Sequence, residues 1–344
     1  MEDTVFWFFF VSRTAPLHQT ILLPFRAGGF TLPTYPTMSL ITVGTVAFDA
    51  IETPFGKTDK TIGGSATYIA QAASFFTDHV KLVAVVGEDF PEAEIKRMNA
   101  QGIDTEGLQI KPGEKSFFWA GRYHNDMNSR DTLTTELNVL ADFDPVIPES
   151  YQDCDYLMLG NLTPSVQKTV IERLRRRPKL IMMDTMNFWM DVALAELTEV
   201  LKMVDVLSIN DEEARQLSKE YSIRKAAKKI MGMGPKYLII KKGEHGAYLF
   251  KNDQVFFAPA LPLEEVFDPT GAGDTFAGGF IGHLASTNDI SFENMKRGII
   301  YGSALASFCV EKFGLERIVE LTKPELESRV QDFVDLVQFE IPMS

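Results

Sequence analysis

A chain of 344 residues with 45% apolar and 24% charged side chains can fill one large core with an appendage, which excludes a collagen, a low-complexity scaffold and a disordered tail. Its formal net charge of −13, from 34 basic and 47 acidic side chains, repels nucleic acid and anionic membranes, so any phosphate must be gripped locally. Two cysteines, Cys154 and Cys309, and five scattered histidines make neither a disulfide framework nor a metal cluster, and the chain reads as a soluble enzyme of the reducing cytoplasm.

Residues 1–37 differ from the rest, with four formal charges, four prolines and the run Phe6-Trp7-Phe8-Phe9-Phe10. The apolar stretch 5–11 is far short of the roughly 20 residues that span a bilayer, and Glu2-Asp3 stands where a secretory leader would be basic. An upstream extension or misassigned start, an organelle-targeting stretch and a structural arm stay open. The fold is expected to begin at Met38, where Ser39-Leu40-Ile41-Thr42-Val43-Gly44 reads as a strand entering a glycine turn.

From there strands alternate with helices. Strand 82–86 precedes helix 92–100, 156–159 precedes 165–176, 180–183 precedes 192–203, and 204–209 precedes 212–219 and 225–231. Strand 237–241 then turns through Gly243-Glu244-His245-Gly246 into 247–250. This rhythm predicts an α/β protein of three layers with a doubly wound, mostly parallel sheet, whose ligands lie beyond the carboxyl ends of the strands. Residues 116–124 are strand-like, Asn125-Asp126-Met127-Asn128-Ser129 offers turn chemistry and 130–135 is threonine-rich. This β-excursion is either a surface hairpin or a lid and dimer surface, built from about 52–62 and 108–138. A capping box at Thr322-Lys323-Pro324-Glu325 opens a final helix, 323–344, packed on the domain 38–322.

The chemistry concentrates in Phe267-Asp268-Pro269-Thr270-Gly271-Ala272-Gly273-Asp274-Thr275-Phe276-Ala277-Gly278-Gly279-Phe280. Its glycines turn the backbone sharply before a helix, so the N–H groups of Gly271, Ala272, Gly273 and Asp274 converge as an anion hole for a transferring phosphoryl group. Asp274 beside it can take a proton from a hydroxyl. Alone, Gly-Ala-Gly-Asp would be a loop with an N-cap; within this longer string the chemical reading prevails.

At these residues the sequence resembles the ribokinase-like, or PfkB, family of carbohydrate and nucleoside kinases, and Gly63-Gly64-Ser65-Ala66-Thr67-Tyr68-Ile69-Ala70 is similar to its N-terminal glycine signature. The resemblance runs from Met38 to about Gly314. It implies ATP and Mg2+ as cofactors, Asp274 as catalytic base and Gly271, Ala272 and Gly273 as the anion hole, with Thr270 beside them. Asn210-Asp211-Glu212-Glu213 looks like the family's Asn-x-x-Glu motif, in which Glu213 would serve Mg2+ through water; read alone, Asn210 is a good N-cap. Asp184 and Asn187 look like polar groups on the phosphate side. Lys242, Gly243 and Gly246 are similar to the nucleotide-edge hairpin. Asp268 resembles part of the monovalent-cation loop, which would add K+.

The resemblance places Asp49 on sugar hydroxyls, a task that suits a carboxylate facing a polyol, with Gly63 and Gly64 allowing close approach. Ser65 and Tyr68 replace a lysine and an asparagine of ribokinase's own pattern, which argues against ribose. Phe117, Trp119, Arg122 and Asn138 are the lid residues expected at the substrate. The expected function is ATP-dependent phosphorylation of a sugar or polyol alcohol by a lid-mediated homodimer, with no nucleic-acid or membrane partner. A nucleoside kinase and a non-catalytic sugar or nucleotide sensor are the alternatives. A Rossmann dehydrogenase fails because no Gly-x-Gly-x-x-Gly follows the first strand.

Overall fold

The computed structural model describes residues 38–338; the expectations placed on residues 1–37 and 339–344 lie outside the described residues. Short β-branched and apolar runs form a nine-stranded sheet. In spatial order its strands are Gln254–Ala258, Ala247–Lys251, Tyr237–Lys241, Val206–Asn210, Leu180–Asp184, Tyr156–Leu159, Leu40–Val43, Val80–Gly87 and Ile103–Lys111. The seven from Tyr237–Lys241 to Ile103–Lys111 are parallel, and the first two add an antiparallel edge. Both faces are covered at the centre of the sheet, which is why Leu40–Val43, Tyr156–Leu159, Leu180–Asp184, Val206–Asn210 and Tyr237–Lys241 are near-continuous buried runs rather than alternating, while the edge strands Ile103–Lys111 and Gln254–Ala258 carry exposed polar residues. Leu40, Met182, Val206 and Ile239 pack against Ile69, Phe276, Phe280 and Ile299 on one side. Ile41, Met183, Leu207 and Ile240 pack against Val170, Leu197 and Ile230 on the other. The expected α/β architecture is present.

A second sheet of five strands forms the lid, in the order Gly56–Lys57, Ala47–Thr53, Phe117–Tyr123, Arg130–Glu136, with Thr61–Gly63 also on Ala47–Thr53. The expected lid boundaries need correction. Residues 108–111 close the edge strand of the main sheet, and the lid takes its second part from Phe117 onward. The helix expected over 192–203 is two, Asn187–Val192 and Leu194–Leu201, separated at Ala193 where φ is −141°. Among the described residues no helix is long and apolar enough to cross a membrane.

Candidate active site

Three strand ends stand side by side on one edge of the main sheet. Asp184 ends one strand, Asn210 ends the next, and Lys241 lies across from Asn210 in register. Asp184 and Lys241 form a buried ion pair at 2.8 Å. Burial works against the charge on Lys241, but Asp184, Glu213 and Asp274 outweigh it and hold the lysine above its ordinary pKa.

Over these ends lies the helix Ala272–Thr287, entered through Gly271 at φ +75°. A Cβ on Gly271 would stand 2.4 Å from the Tyr68 ring, and one on Gly273 would stand 3.0 Å from Lys241 Nζ. The first glycine therefore has both a conformational and a steric reason, and the second lets the lysine ammonium sit against the turn. The expected hole changes in one donor. The Ala272 N–H is taken by the Pro269 carbonyl at 3.3 Å, while among the described residues no acceptor takes those of Gly271, Gly273 and Asp274. Donors without an internal partner at a helix start are an anion site.

The Asp274 carboxyl is pushed up to about 7, first by burial and then by Asp184, with Lys241 and Arg130 opposing. Glu213 is likewise pushed up to about 7 by burial and by Asp184. Glu213 and Asn210 form a reciprocal capping box, each side chain taking the other's backbone N–H at 2.8 Å. Asn210 is thus the helix cap, and it holds Glu213 against Asp184 and Lys241. Among the described residues no three acidic, histidine or cysteine side chains converge as a metal cage. A single carboxylate beside a phosphate site fits Mg2+, which keeps several waters and takes few protein ligands.

On the acceptor side, Asp49 lies in the lid strand against Gly63 and Gly64. A Cβ on Gly63 would fall 1.9 Å from Asp49 Oδ2, and Gly64, at φ +94°, lies tight against the Thr45 carbonyl. Burial, then Asp268 and Asp274, raise the Asp49 pKa to about 7 against the pull of the Gly64 N–H. Register pairs Ala47 with Phe117 and Asp49 with Trp119, so both aromatic rings share the Asp49 face. The Tyr68 hydroxyl is buried without a hydrogen-bond partner, and burial, with Asp49 and Asp268 among the nearby charges, holds its pKa well above the ordinary value.

Several expected contacts are committed elsewhere. Arg122 lies one residue out of phase with Phe117 and Trp119, on the opposite lid face, and pairs there with Glu52 at 2.9 Å. Ser65 exchanges hydrogen bonds with Thr45. Asn138 donates to the Ser116 carbonyl at the lid base. Asn187 accepts from the Phe188 N–H. Lys242 closes its turn by donating its backbone N–H to Gly246, and it is Lys241 whose ammonium lies against the glycine turn. Gly243 and Gly246 both adopt positive φ in that turn. Asp268 accepts the Thr270 and Gly314 N–H groups, both at 2.8 Å, so it ties two loops together. Thr270 donates to the lid residue Tyr123 at 3.3 Å. Lys241, Tyr123 and Arg130 are the site residues that sequence reasoning passed over.

A parallel α/β sheet whose strand ends meet a glycine turn, a carboxylate and a β-lid offers the parts that phosphoryl transfer needs. The pfkB family of carbohydrate kinases matches residues 39–320, and the chain belongs to that family. A cytidine kinase from Thermococcus kodakarensis is 30% identical over 250 residues, covering 71% of this chain and 87% of its own. A nucleoside kinase from Burkholderia thailandensis, solved with inosine, superposes with a TM-score of 0.69 at 20% identity over 85% of this chain and 98% of its own. A chain from E. coli solved with ATP and Mg2+ gives a TM-score of 0.69 at 21% identity over 86% of this chain and 99% of its own. The protein is a kinase with a ribokinase-like fold.

Proposed function

We propose that this kinase moves the γ-phosphoryl group of ATP, with Mg2+, to an alcohol group of a neutral sugar or polyol. The observation that carries the reading is Asp274. Its carboxyl is poised at about 7 and begins a helix whose N–H groups at Gly271, Gly273 and Asp274 are unclaimed among the described residues. In the step, the acceptor oxygen bonds to γ-phosphorus as the bond from phosphorus to the β,γ-bridging oxygen breaks. The hydroxyl proton goes to Asp274 and ADP leaves. Lys241 and the glycine turn offset the charge on the phosphoryl oxygens. Glu213 would hold Mg2+ through water, and the ion would add to the neutralisation of phosphate charge. Asp49 takes hydrogen bonds from the acceptor hydroxyls, and the orphaned Tyr68 hydroxyl offers one more polar partner.

A nucleoside acceptor is the second reading. Phe117 and Trp119 on the Asp49 face offer rings on which a base would stack, and the cytidine kinase relative points the same way. An ADP-release panel of sugars, polyols and nucleosides, with and without K+, separates the two. Asp49→Ala should raise the acceptor KM roughly tenfold to a hundredfold, the worth of a charged hydrogen bond, and leave the ATP KM within about twofold. Turnover of none of the panel would remove the reading, and an unchanged acceptor KM would misplace the pocket.

A further inference from the structure

The helix Ser65–Ala73 begins on the acceptor side, where Gly64 just before it gives its N–H to Asp49. All nine of its residues are buried, and it lies backbone to backbone along Ala272–Thr287. A Cβ on Gly278 would run into the Ile69 carbonyl, and one on Gly282 would fall 2.9 Å from Ala73 Cα. Without side chains between them the two helices touch directly, and close packing of that kind leaves no room to slide. Tyr68 on the first helix is therefore fixed relative to Gly271 at the start of the second.

Tyr68 is only 1% exposed and packs among Ala72, Ala304, Leu305 and Phe308. Three consecutive ring carbons, Cδ1, Cε1 and Cζ, lie 2.4–2.5 Å from where a Cβ on Gly271 would stand. Near-equal distances to three neighbouring ring atoms place that point over the face of the ring and not at its edge. The Gly271 backbone thus rests on the ring. Thr270 before it is tied by its N–H to Asp268 and by its carbonyl to the Cys309 thiol, at 2.8 and 3.6 Å. The Gly271 N–H has no such tie among the described residues, and the ring beneath sets its height.

We propose that Tyr68 is a positioning residue for phosphoryl transfer, whose ring holds the Gly271 peptide where the anion hole needs it. This rests on the kinase reading. The role belongs to the ring and is separate from the hydroxyl, which has no hydrogen-bond partner in the fold. Tyr68 acts through Gly271: a donor moved by about an ångström from a transferring phosphoryl group loses much of its worth. One rigid helix then sets the distance between the two reactants, from Asp49 through Gly64 at one end to the γ-phosphoryl group through Tyr68 and Gly271 at the other.

The test is calorimetric titration of the full chain and of its Y68F, Y68L and Y68M variants with Mg·AMP-PNP and with Mg·ADP, which lacks the γ-phosphoryl group. Y68L and Y68M fill much of the space but lack the flat face. Both should weaken Mg·AMP-PNP binding about tenfold to a hundredfold and leave Mg·ADP within about threefold, which also shows that they are folded. Y68F keeps the face and should bind both nucleotides within about twofold of wild type. Wild-type protein that binds neither nucleotide would sink the kinase reading itself. Three results would overturn the role of the ring alone: Mg·AMP-PNP binding that Y68L and Y68M leave unchanged, a loss that Mg·ADP shares equally, or a loss in Y68F as large as theirs.

Discussion

As the proposed base, Asp274 is held in a state that costs stability at neutral pH. Burial and the neighbouring Asp184 raise its carboxyl from 3.8 to about 7, so the folded protein binds this proton more tightly than the unfolded chain does. The stability linked to it is fully present below about 4, falls as the unfolded chain gives up its proton, and is lost once the pH passes about 7. Asp274→Asn keeps the shape and removes the titration. That variant should melt above wild type at pH 8, and the difference should shrink steadily toward pH 4. Its kcat should fall by about 10²–10⁴-fold, the usual worth of a positioned general base. Wild-type kcat, in turn, should rise with pH through about 7 as the base becomes free. Near-normal kcat in the variant, or a wild-type profile flat across neutral pH, would take the role of base from Asp274.

The elements supply what no single residue can. Three neighbouring parallel strands each deliver one polar side chain at the carboxyl end, and their registers set Asp184, Asn210 and Lys241 into a row. Lys241→Met would leave the Asp184 carboxylate buried without its partner, a loss of about 3–5 kcal/mol. Replacing both, as K241M with D184L, should return most of that stability while the enzyme stays inactive. Chemical denaturation of wild type and the two variants checks this, and a single variant as stable as wild type would mean the pair is not carrying charge. The alternation of strands and helices was legible because short β-branched and apolar runs stand between longer helical patterns, and the glycine string marked the sharp turn into the helix Ala272–Thr287. The choice between Lys241 and Lys242 was not legible, because a strand covered on both faces gives no polar alternation to say which side faces the ligand. The strand Ile103–Lys111 likewise reads the same whether it joins the main sheet or the lid. Arg122 and Arg130 differ by the lid face they occupy. That follows from a register broken by a bulge between Ala120 and Gly121, which local pattern does not carry.

For the whole molecule, the lid leaves an edge. Arg130–Glu136 is exposed along all seven residues and ends the lid sheet. The lid aromatics Phe117 and Trp119 share the face that carries Asp49, and Tyr123 is buried. An open strand of that length is a template for pairing with another chain, and small sheets gain stability from a cover. Leu133 and Leu137 stay about half exposed, at 50% and 51%, on or next to that edge. We therefore expect a homodimer joined lid to lid through this strand, which would also steady the lid. Light scattering in the micromolar range should give twice the chain mass of 38.6 kDa. Leu133→Asp should halve the particle mass without lowering the helix content, because Leu133 belongs to neither buried face of the main sheet. Activity should fall with dissociation as the unpaired lid seats less often on Thr270. A wild-type protein that stays at the mass of one chain throughout that range, with or without Mg·AMP-PNP, would show that this edge does not pair in solution.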